Sequence, residues 1–175
     1  INYTMMKAVP LLLDEFQIIH QVGPKNMDAF KPMMDVLIEN HEHKDRYKAF
    51  DYLNLDQMRS AYTVAQMVIS RGGSTIFEIA AWGKPSLIIP ISKIAGNHQR
   101  KNAYAYARVG ACEVIEETNL TPQLLIEELR RIFKDQDLMA NMADAAREFA
   151  TQDAAAKIAR EIIIILKKHS DYEQE

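Results

Sequence analysis

Short apolar runs alternate with longer amphipathic segments along most of this chain. Runs rich in β-branched and aromatic residues predict strands at Phe16–Val22, Tyr47–Tyr52, Met67–Ser70, Ser86–Ile91 and Glu113–Glu116. Apolar residues that recur every three or four positions predict helices at Ile1–Leu13, Met27–Asn40, Asp56–Ala65, Ser74–Trp82, Asn97–Val109, Pro122–Phe133, Asp137–Ala150 and Asp153–Lys168. This alternation is typical of parallel βαβ units. We therefore expect an α/β fold with a Rossmann-like parallel sheet and flanking helices.

Two of the predicted strands carry no polar face. Val68-Ile69 and Leu87-Ile88-Ile89 are continuous apolar runs, as a parallel sheet covered on both faces requires. Ligands of such sheets bind beyond the carboxyl ends of the strands. This rule selects four loops as the place to look for a site, namely those after Val22, Tyr52, Ile69 and Ile91.

Composition narrows the class of protein without identifying it. A length of 175 residues suits one domain of ordinary size, and 48% hydrophobic with 26% charged residues is typical of a globular chain. The net charge of -3 argues against a nucleic-acid partner. The single cysteine, Cys112, excludes an internal disulfide framework, and its apolar neighbours indicate a core thiol. No apolar run reaches the roughly 18 residues that predict a transmembrane helix.

The segment from Ser70 to Ser74 combines the end of a strand, a glycine turn and a helix start. Gly72 and Gly73 allow the backbone to approach a ligand without a Cβ atom in the way. The N–H groups of the first helical turn, with Ser74 as N-cap, would then face a phosphate or a diphosphate. The alternative is an ordinary tight turn capped by Ser74, since Gly-Gly turns are common.

Glu78 adds a carboxylate to the same helix. It lies four residues after Ser74, about one helical turn away, so its side chain can point back toward the glycine turn. A carboxylate can accept two hydrogen bonds from a vicinal diol such as that of a ribose. A solvated surface glutamate explains the position equally well.

A second polar cluster runs from Gly96 to Asn102, after the predicted strand that ends at Ile91. Asn97 is a plausible N-cap, and His98, Gln99 and Asn102 carry neutral groups that suit sugar hydroxyls. Arg100 and Lys101 could offset phosphate charge, although a solvated helix face explains them as well. The two clusters follow successive strands, so we expect them to share one crevice.

Other kinds of chemistry have little support in these residues. The histidines show no metal-ligand spacing with cysteine or carboxylates, so we expect no bound metal and no cofactor. No nucleophile elbow, no phosphate loop of the G-x-x-x-x-G-K type and no paired carboxylates placed for acid–base catalysis are recognisable.

The segments Ile69–Glu78, Ala80–Pro90 and Asn97–Ala103 together contain S-R-G-G-S-T-I-F-E-I-A-A-W-G-K-P and N-H-Q-x-x-N-A. This combination resembles the C-terminal, donor-binding domain of the bacterial MurG family, which are GT-B glycosyltransferases with a family 28 C-terminal domain. The resemblance extends from Ile1 to about Phe133, and the later helices fit the domain's helical tail. It implies a donor-binding domain at 1–150 and a C-terminal helix at 151–175.

The resemblance also implies a function. Members transfer N-acetylglucosamine from UDP-N-acetylglucosamine to an undecaprenyl-pyrophosphate-linked muramyl peptide, with inversion and without a metal, in peptidoglycan synthesis. The implied donor-binding residues are Leu55, Arg71, Gly72, Gly73, Ser74, Glu78, Asn97, His98, Gln99 and Asn102. Glu78 matches the glutamate that holds the ribose, and the main chain near Leu55 matches the part that reads uracil.

Several features depart from the family pattern. Many members have one more residue between the glycine turn and the glutamate than Gly73–Glu78 provides, so the role of Ser74 stays open. Gln66 replaces a common acidic residue, and His98 replaces the glutamine of some members. A central strand, a second glycine-rich loop, and the acceptor-binding N-terminal domain with the catalytic base would precede Ile1. We therefore expect this polypeptide alone to lack transferase activity.

The partners implied are a UDP-sugar and, through the N-terminal domain, a lipid-linked acceptor at the inner face of the plasma membrane. A non-catalytic UDP-N-acetylglucosamine-binding subunit of a two-chain transferase is the alternative. An epimerase of the same fold would need acidic and basic groups near the anomeric carbon, which these residues do not provide.

Overall fold

The computed structural model describes residues 1–91, 97–150 and 159–165, and it places elements close to the predicted positions. The strands are β1 (Ile18–Gln21), β2 (Tyr47–Phe50), β3 (Val68–Ser70), β4 (Ser86–Ile88) and β5 (Cys112–Val114). The helices are α1 (Asn2–Leu12), α2 (Pro24–Ile38), α3 (Leu55–Val64), α4 (Thr75–Ala81), α5 (His98–Arg108), α6 (Pro122–Lys134) and α7 (Gln136–Phe149), with a 3₁₀ turn at Lys44–Arg46. Residues 159–165 are also helical.

Two predictions fall wholly or partly on residues that are not described. The predicted loop at Ser92–Gly96 lies outside the described residues, as does most of the predicted helix at Asp153–Lys168. The division into a domain at 1–150 and a helix at 151–175 therefore stays a prediction. Among the described helices, none has the length and apolar character needed to cross a bilayer.

The start of α2 differs from the prediction by one turn. The helix begins at Pro24 and not at Met27. Proline is well suited to the first helical position, because its missing N–H would have no partner there and its φ is already helical. Pro32 lies inside this helix.

All described strands pair in parallel, which confirms the predicted α/β class. Hydrogen bonds join them in two sheets, one of order β1-β2 and one of order β3-β4-β5. Beyond the strand ends, the Ile89 N–H still donates to Ser70 at 2.8 Å and the Ile115 N–H to Ile88 at 3.1 Å. The carboxyl ends of β3, β4 and β5 therefore meet along one edge.

Both faces of the three-stranded sheet are covered, as the apolar runs predict. Leu87 and Ile89 point into a core cluster that also receives α1, α2 and α6 and spans both sheets. Ile88 points the other way, into a cluster built with α4, α5 and α7. Burying each of these side chains contributes about 1.5–3 kcal/mol, so the two clusters hold the sheet between helical layers.

Gly83 ends α4, directly after the predicted helix Ser74–Trp82. It has φ +57°, a conformation that suits glycine, and it follows the last helical residues. The Gly83 N–H donates to Ala80 at 2.9 Å and the Lys84 N–H to Ile79 at 3.2 Å, which is the Schellman pattern. The helix that carries Glu78 is therefore stopped by local sequence.

His20 is buried beneath α1 and α2 in a neutral hydrogen-bonded arrangement. Its Nδ1 lies 2.9 Å from the Tyr47 hydroxyl and its Nε2 lies 3.2 Å from Asn2 Oδ1. Because the carboxamide oxygen can only accept, Nε2 donates, and the Tyr47 hydroxyl donates to Nδ1. The Phe30 ring contacts the imidazole edge-on. Burial lowers the pKa of His20 to about 4.

This burial predicts an acid-sensitive fold. In the unfolded chain His20 regains a pKa near 6.5 and binds a proton that the folded protein excludes, so stability falls as pH decreases below that value. The free energy of unfolding should drop by about 1 kcal/mol between pH 7 and pH 5.5. Urea unfolding at both pH values measures this difference in stability. In the His20→Leu variant, the part of the difference that arises from His20 should be absent. An equal loss in both proteins would contradict a neutral buried His20.

Candidate functional site

The candidate site begins where β3, β4 and β5 end. Three described segments follow this edge: residues 71–74 lead into α4, residues 89–91 follow β4 ahead of α5, and residues 115–121 lead into α6. The sequence rule named the first two of these loops. The third follows a strand at the same edge and belongs with them.

Gly72 brings the first two loops into direct contact. It is buried, and a Cβ atom built on it would lie 2.2 Å from the Gln99 carbonyl oxygen, which is main chain in the first turn of α5. Asn102 Nδ2 also donates to the Gly72 carbonyl at 3.3 Å. The two predicted clusters are therefore in direct contact at the sheet edge, and we refer to the surface beside this contact as the crevice. The space without a Cβ atom at Gly72, however, is filled by the protein and not available to a ligand.

Gly73 has the opposite surroundings. No heavy atom lies within 4 Å of a Cβ atom built on it. Neither Gly72 nor Gly73 has the left-handed φ found at Gly23, Gly83 and Gly110. Of the two predicted ligand-approach glycines, Gly73 is therefore the one whose open side can meet a ligand.

The start of α5 is held by its own side chains. Gln99 Oε1 accepts the Ile91 N–H at 3.2 Å, which ties the helix to the end of β4. Asn97 occupies the predicted N-cap position with a left-handed φ of 54°, and its side chain makes no capping hydrogen bond. Asn97 and His98 are exposed at the mouth of the crevice.

The start of α4 is only partly as predicted. Ser74 occupies the N-cap position in a helical conformation, and its hydroxyl makes no capping hydrogen bond. The Ile76 and Phe77 N–H groups donate within the turn, to Gly73 at 3.2 Å and Ser74 at 3.0 Å. A phosphate at this turn would therefore depend on the N–H groups of Ser74 and Thr75.

Glu78 is exposed on α4, one turn from the glycine turn. Its charge reaches the Tyr62 hydroxyl of α3, whose pKa is raised to about 12 mainly by burial and further by Glu78. The Tyr62 ring stacks on Trp82 at a centroid distance of 5.8 Å. This stack joins α3 to α4.

Leu55 is the first residue of α3 and is 67% exposed. Asn54 caps the helix by accepting the Gln57 N–H at 3.0 Å, and Gln57 Oε1 accepts the Asn54 N–H at 3.0 Å. The Leu53 N–H donates to Gln21 Oε1 at 2.9 Å, which ties this loop to β1. The main chain near Leu55 is thus rigidly held at a helix N-terminus.

Arg71 is committed to contacts within the protein. Its Nη1 donates to the Ile89 carbonyl at 3.2 Å, and its Nη2 pairs with Glu117 at 2.8 Å. The guanidinium therefore connects the loop after β3 with the loops after β4 and β5. The contact of Arg71 with a sugar-nucleotide ligand, which the resemblance implies, would have to form in addition to these bonds.

Glu116 and Glu117 were missed by the sequence reasoning. Glu116 Oε1 accepts from Arg100 Nε at 2.7 Å and from the Tyr104 hydroxyl at 2.7 Å. This hydrogen bond raises the pKa of Tyr104. The position of Glu116 and Glu117 directly after a parallel strand was the signal that could have identified them.

The described residues offer no group of three or more potential metal ligands. Cys112 is buried on β5, and burial raises the pKa of its thiol to about 12, so the group stays protonated. The prediction of a core thiol is confirmed. The exposed groups around the crevice are carboxylate, imidazole and main-chain N–H, which suit recognition of a polar, anionic ligand.

Comparisons with known proteins agree on the class. The family model described as "Glycosyltransferase family 28 C-terminal domain" matches residues 1–158. A transferase of Sorangium cellulosum is 40% identical over 150 residues, covering 85% of this chain and 36% of its own length. One of Natranaerobius thermophilus is 31% identical over 163 residues, covering 91% and 44%. Both are named UDP-N-acetylglucosamine–N-acetylmuramyl-(pentapeptide) pyrophosphoryl-undecaprenol N-acetylglucosamine transferase.

Solved structures share the fold. MurG of Acinetobacter baumannii superposes with a TM-score of 0.69 at 22% identity, covering 91% of this chain and 46% of that one. A putative UDP-N-acetylglucosamine 2-epimerase of Listeria monocytogenes has a TM-score of 0.70 at 16% identity, covering 95% and 41%. At these identities the likeness concerns the fold alone. This chain spans less than half the length of these relatives.

Proposed function

This chain belongs to the family of glycosyltransferase family 28 C-terminal domains, and from that premise we propose that it is the donor-binding half of an N-acetylglucosaminyltransferase. The donor is UDP-N-acetylglucosamine, and the acceptor is an undecaprenyl-pyrophosphate-linked muramyl peptide in peptidoglycan synthesis. The relatives named for this reaction support both substrates. In this proposal the acceptor-binding site and the catalytic base lie in the part of the transferase that this chain does not span.

The observation that carries the proposal is the contact of Gly72 with the main chain of Gln99. It brings two polar loops from successive strands together at the sheet edge where nucleotides bind in parallel α/β folds. Glu78 stands exposed on one side of this contact and His98 on the other. A UDP-sugar has a ribose diol, a diphosphate and a sugar in series, which matches the sequence of groups across the crevice.

Each group has a role in the proposed complex. Glu78 accepts hydrogen bonds from the ribose hydroxyls, and the main chain near Leu55 reads the uracil edge. The open side of Gly73 and the N–H groups that follow it, at Ser74 and Thr75, receive the diphosphate. His98 and the Gln99 amide orient the sugar, Asn102 ties the helix that presents them to Gly72, and Asn97 adds an exposed amide beside them.

Catalysis then consists of direct displacement at the anomeric carbon, with inversion and departure of UDP. The attacking hydroxyl comes from the acceptor and its proton goes to the base of the other half. Main-chain N–H groups stabilise the negative charge that develops on the diphosphate, so the reaction runs without a metal. The contacts that hold the sugar also accelerate the reaction, because they orient the anomeric carbon toward the attacking hydroxyl. The whole transferase works at the cytoplasmic face of the plasma membrane, where its lipid-linked acceptor lies.

Titration calorimetry on the 175-residue chain tests the donor site. UDP and UDP-N-acetylglucosamine should bind, and GDP should bind at least about tenfold more weakly because the main chain near Leu55 discriminates the base. Addition of EDTA should leave the affinities unchanged. If neither uridine nucleotide binds at millimolar concentration, or if GDP binds equally well, the proposed donor site is wrong.

A further inference from the structure

Two consecutive glutamates follow β5 and reach two different parts of the candidate site. Glu116 contacts α5, and Glu117 contacts the loop between β3 and α4. Glu116 lies two residues after the end of β5, and Glu117 begins the turn at residues 117–119, so one short loop holds both partners at once. The loop after β5 is therefore placed to set the width of the crevice between those partners.

The contact of Glu117 determines where the glycine turn lies. Its carboxylate pairs with Arg71 Nη2 at 2.8 Å, and the two side chains are only 30% and 33% exposed. Arg71 also donates to the Ile89 carbonyl at 3.2 Å. Because Arg71 immediately precedes Gly72, this two-sided hold fixes the main chain that carries the turn. A planar guanidinium with fixed donor directions is well suited to such a bridge.

The contact of Glu116 determines where the first turns of α5 lie. Its side chain is 18% exposed and accepts two hydrogen bonds at 2.7 Å, from Arg100 and from Tyr104. These donors lie four residues apart, on the same face of the helix. Arg100 is two residues from His98, so the clamp acts on the turn that presents the imidazole.

We infer that Glu116 and Glu117 are positioning residues of the donor site, with separate duties. Glu117 acts through Arg71 on the diphosphate turn, and Glu116 acts through Arg100 and Tyr104 on the sugar-facing turn of α5. This inference rests on the proposed donor-binding function. It assigns to the loop after β5 a part in recognition that acts through the protein groups to which the two carboxylates bond.

The separate duties predict different losses in calorimetry on the 175-residue chain. Glu117→Gln should lower the affinities for UDP and for UDP-N-acetylglucosamine by the same factor, about threefold to tenfold, because both ligands carry the diphosphate. Glu116→Gln should lower the affinity for UDP-N-acetylglucosamine by about the same factor and leave the affinity for UDP nearly unchanged. A role in fold stability alone would lower the unfolding temperature of each variant and leave both affinities of the folded protein at their wild-type values.

Glu113→Gln is the matched control. Glu113 lies on β5 itself and pairs with Arg131 of α6 at 2.7 Å, so the substitution removes a similar ion pair that does not reach the site loops. Both affinities should stay at the wild-type values. If Glu116→Gln does not fold, Tyr104→Phe removes one of the two donors to Glu116 and should produce a smaller, sugar-selective loss. If Glu117→Gln does not fold, Arg71→Lys should reproduce the loss shared by both ligands.

The outcomes separate the inference from the proposed function. Wild-type protein that binds UDP-N-acetylglucosamine, with wild-type affinities in the folded Glu116 and Glu117 variants, would overturn the positioning role and leave the function standing. A loss of UDP affinity in Glu116→Gln equal to that in Glu117→Gln would overturn the division of duties. Wild-type protein that binds neither ligand would overturn the proposed function and this inference with it.

Discussion

Replacing Gly72 by alanine is expected to lower the free energy of unfolding by about 3 kcal/mol, at the upper end of the cost of overpacking. The new Cβ atom would lie 2.2 Å from the Gln99 carbonyl oxygen and 2.8 Å from the carbonyl carbon. Both atoms are main chain in the first turn of α5, so no change of side-chain rotamer removes the clash. Either α5 or the turn after β3 has to move.

The same movement should weaken donor binding. The turn after β3 lies on the same side of the crevice as Glu78, whereas α5 carries His98 and Gln99, so separating them by even a small distance misaligns the groups proposed to contact one ligand. We expect the affinity for UDP-N-acetylglucosamine to fall by about tenfold or more in the folded variant. Urea unfolding followed by circular dichroism measures the stability, and calorimetry well below the unfolding temperature measures the affinity.

Gly73→Ala provides the control at the adjacent residue. Because no atom lies within 4 Å of its Cβ position, this variant should match or slightly exceed wild-type stability, within about 1 kcal/mol. If Gly73 faces the diphosphate, its variant should still lose affinity. The pair thus separates packing from ligand contact. Equal stabilities for Gly72→Ala and Gly73→Ala would contradict the close approach of α5 to Gly72.

Removing the carboxylate of Glu78 is expected to weaken UDP binding by roughly 1–3 kcal/mol, the cost of losing hydrogen bonds that the ribose hydroxyls donate to a charged acceptor. Glu78 is exposed, so the Glu78→Ala protein should keep its stability. Glu148→Ala, which removes an exposed glutamate from α7, should bind UDP like the wild type. Titration calorimetry measures the UDP affinity of the wild type and of the Glu78→Ala and Glu148→Ala variants.

A second nucleotide assigns the loss to the ribose. 2′-Deoxy-UDP lacks one of the hydroxyls that Glu78 is proposed to hold, so wild-type protein should bind it more weakly than UDP. Glu78→Ala should discriminate less between the two nucleotides, because a double-mutant cycle isolates the interaction between the carboxylate and the hydroxyl. Unchanged UDP affinity in Glu78→Ala would remove this residue from the site.

Most elements could be predicted because their signals are local. The apolar runs at Val68-Ile69 and Leu87-Ile88-Ile89 form strands covered on both faces, and Gly83 ends α4. The start of α2 was misplaced because Met27 begins the apolar pattern, whereas Pro24 begins the helix. Periodicity reports which residues face the core, and a polar first turn carries no such signal.

The site was less predictable than the elements. Sequence spacing placed both polar clusters after successive strands, and their contact through Gly72 and Asn102 agrees with that placement. That they share a ligand crevice stays a prediction. Ser74 and Asn97 occupy the expected N-cap positions, but neither side chain makes a capping hydrogen bond. Whether a side chain caps a helix depends on its backbone conformation, which residue type alone does not determine.

The sequence by itself determined the parallel α/β class, the family and the two polar segments, since periodicity, turn residues and motif spacing are properties of neighbouring positions. Only the tertiary structure decided what those segments contact. The packing of α5 against the turn after β3 assigns Gly72 to the protein and leaves Gly73 open. The pairing of β4 with β5 brings Glu116 and Glu117 to Arg100 and Arg71, which are distant in the chain. Contacts between distant segments depend on how the layers stack, and no local pattern records that.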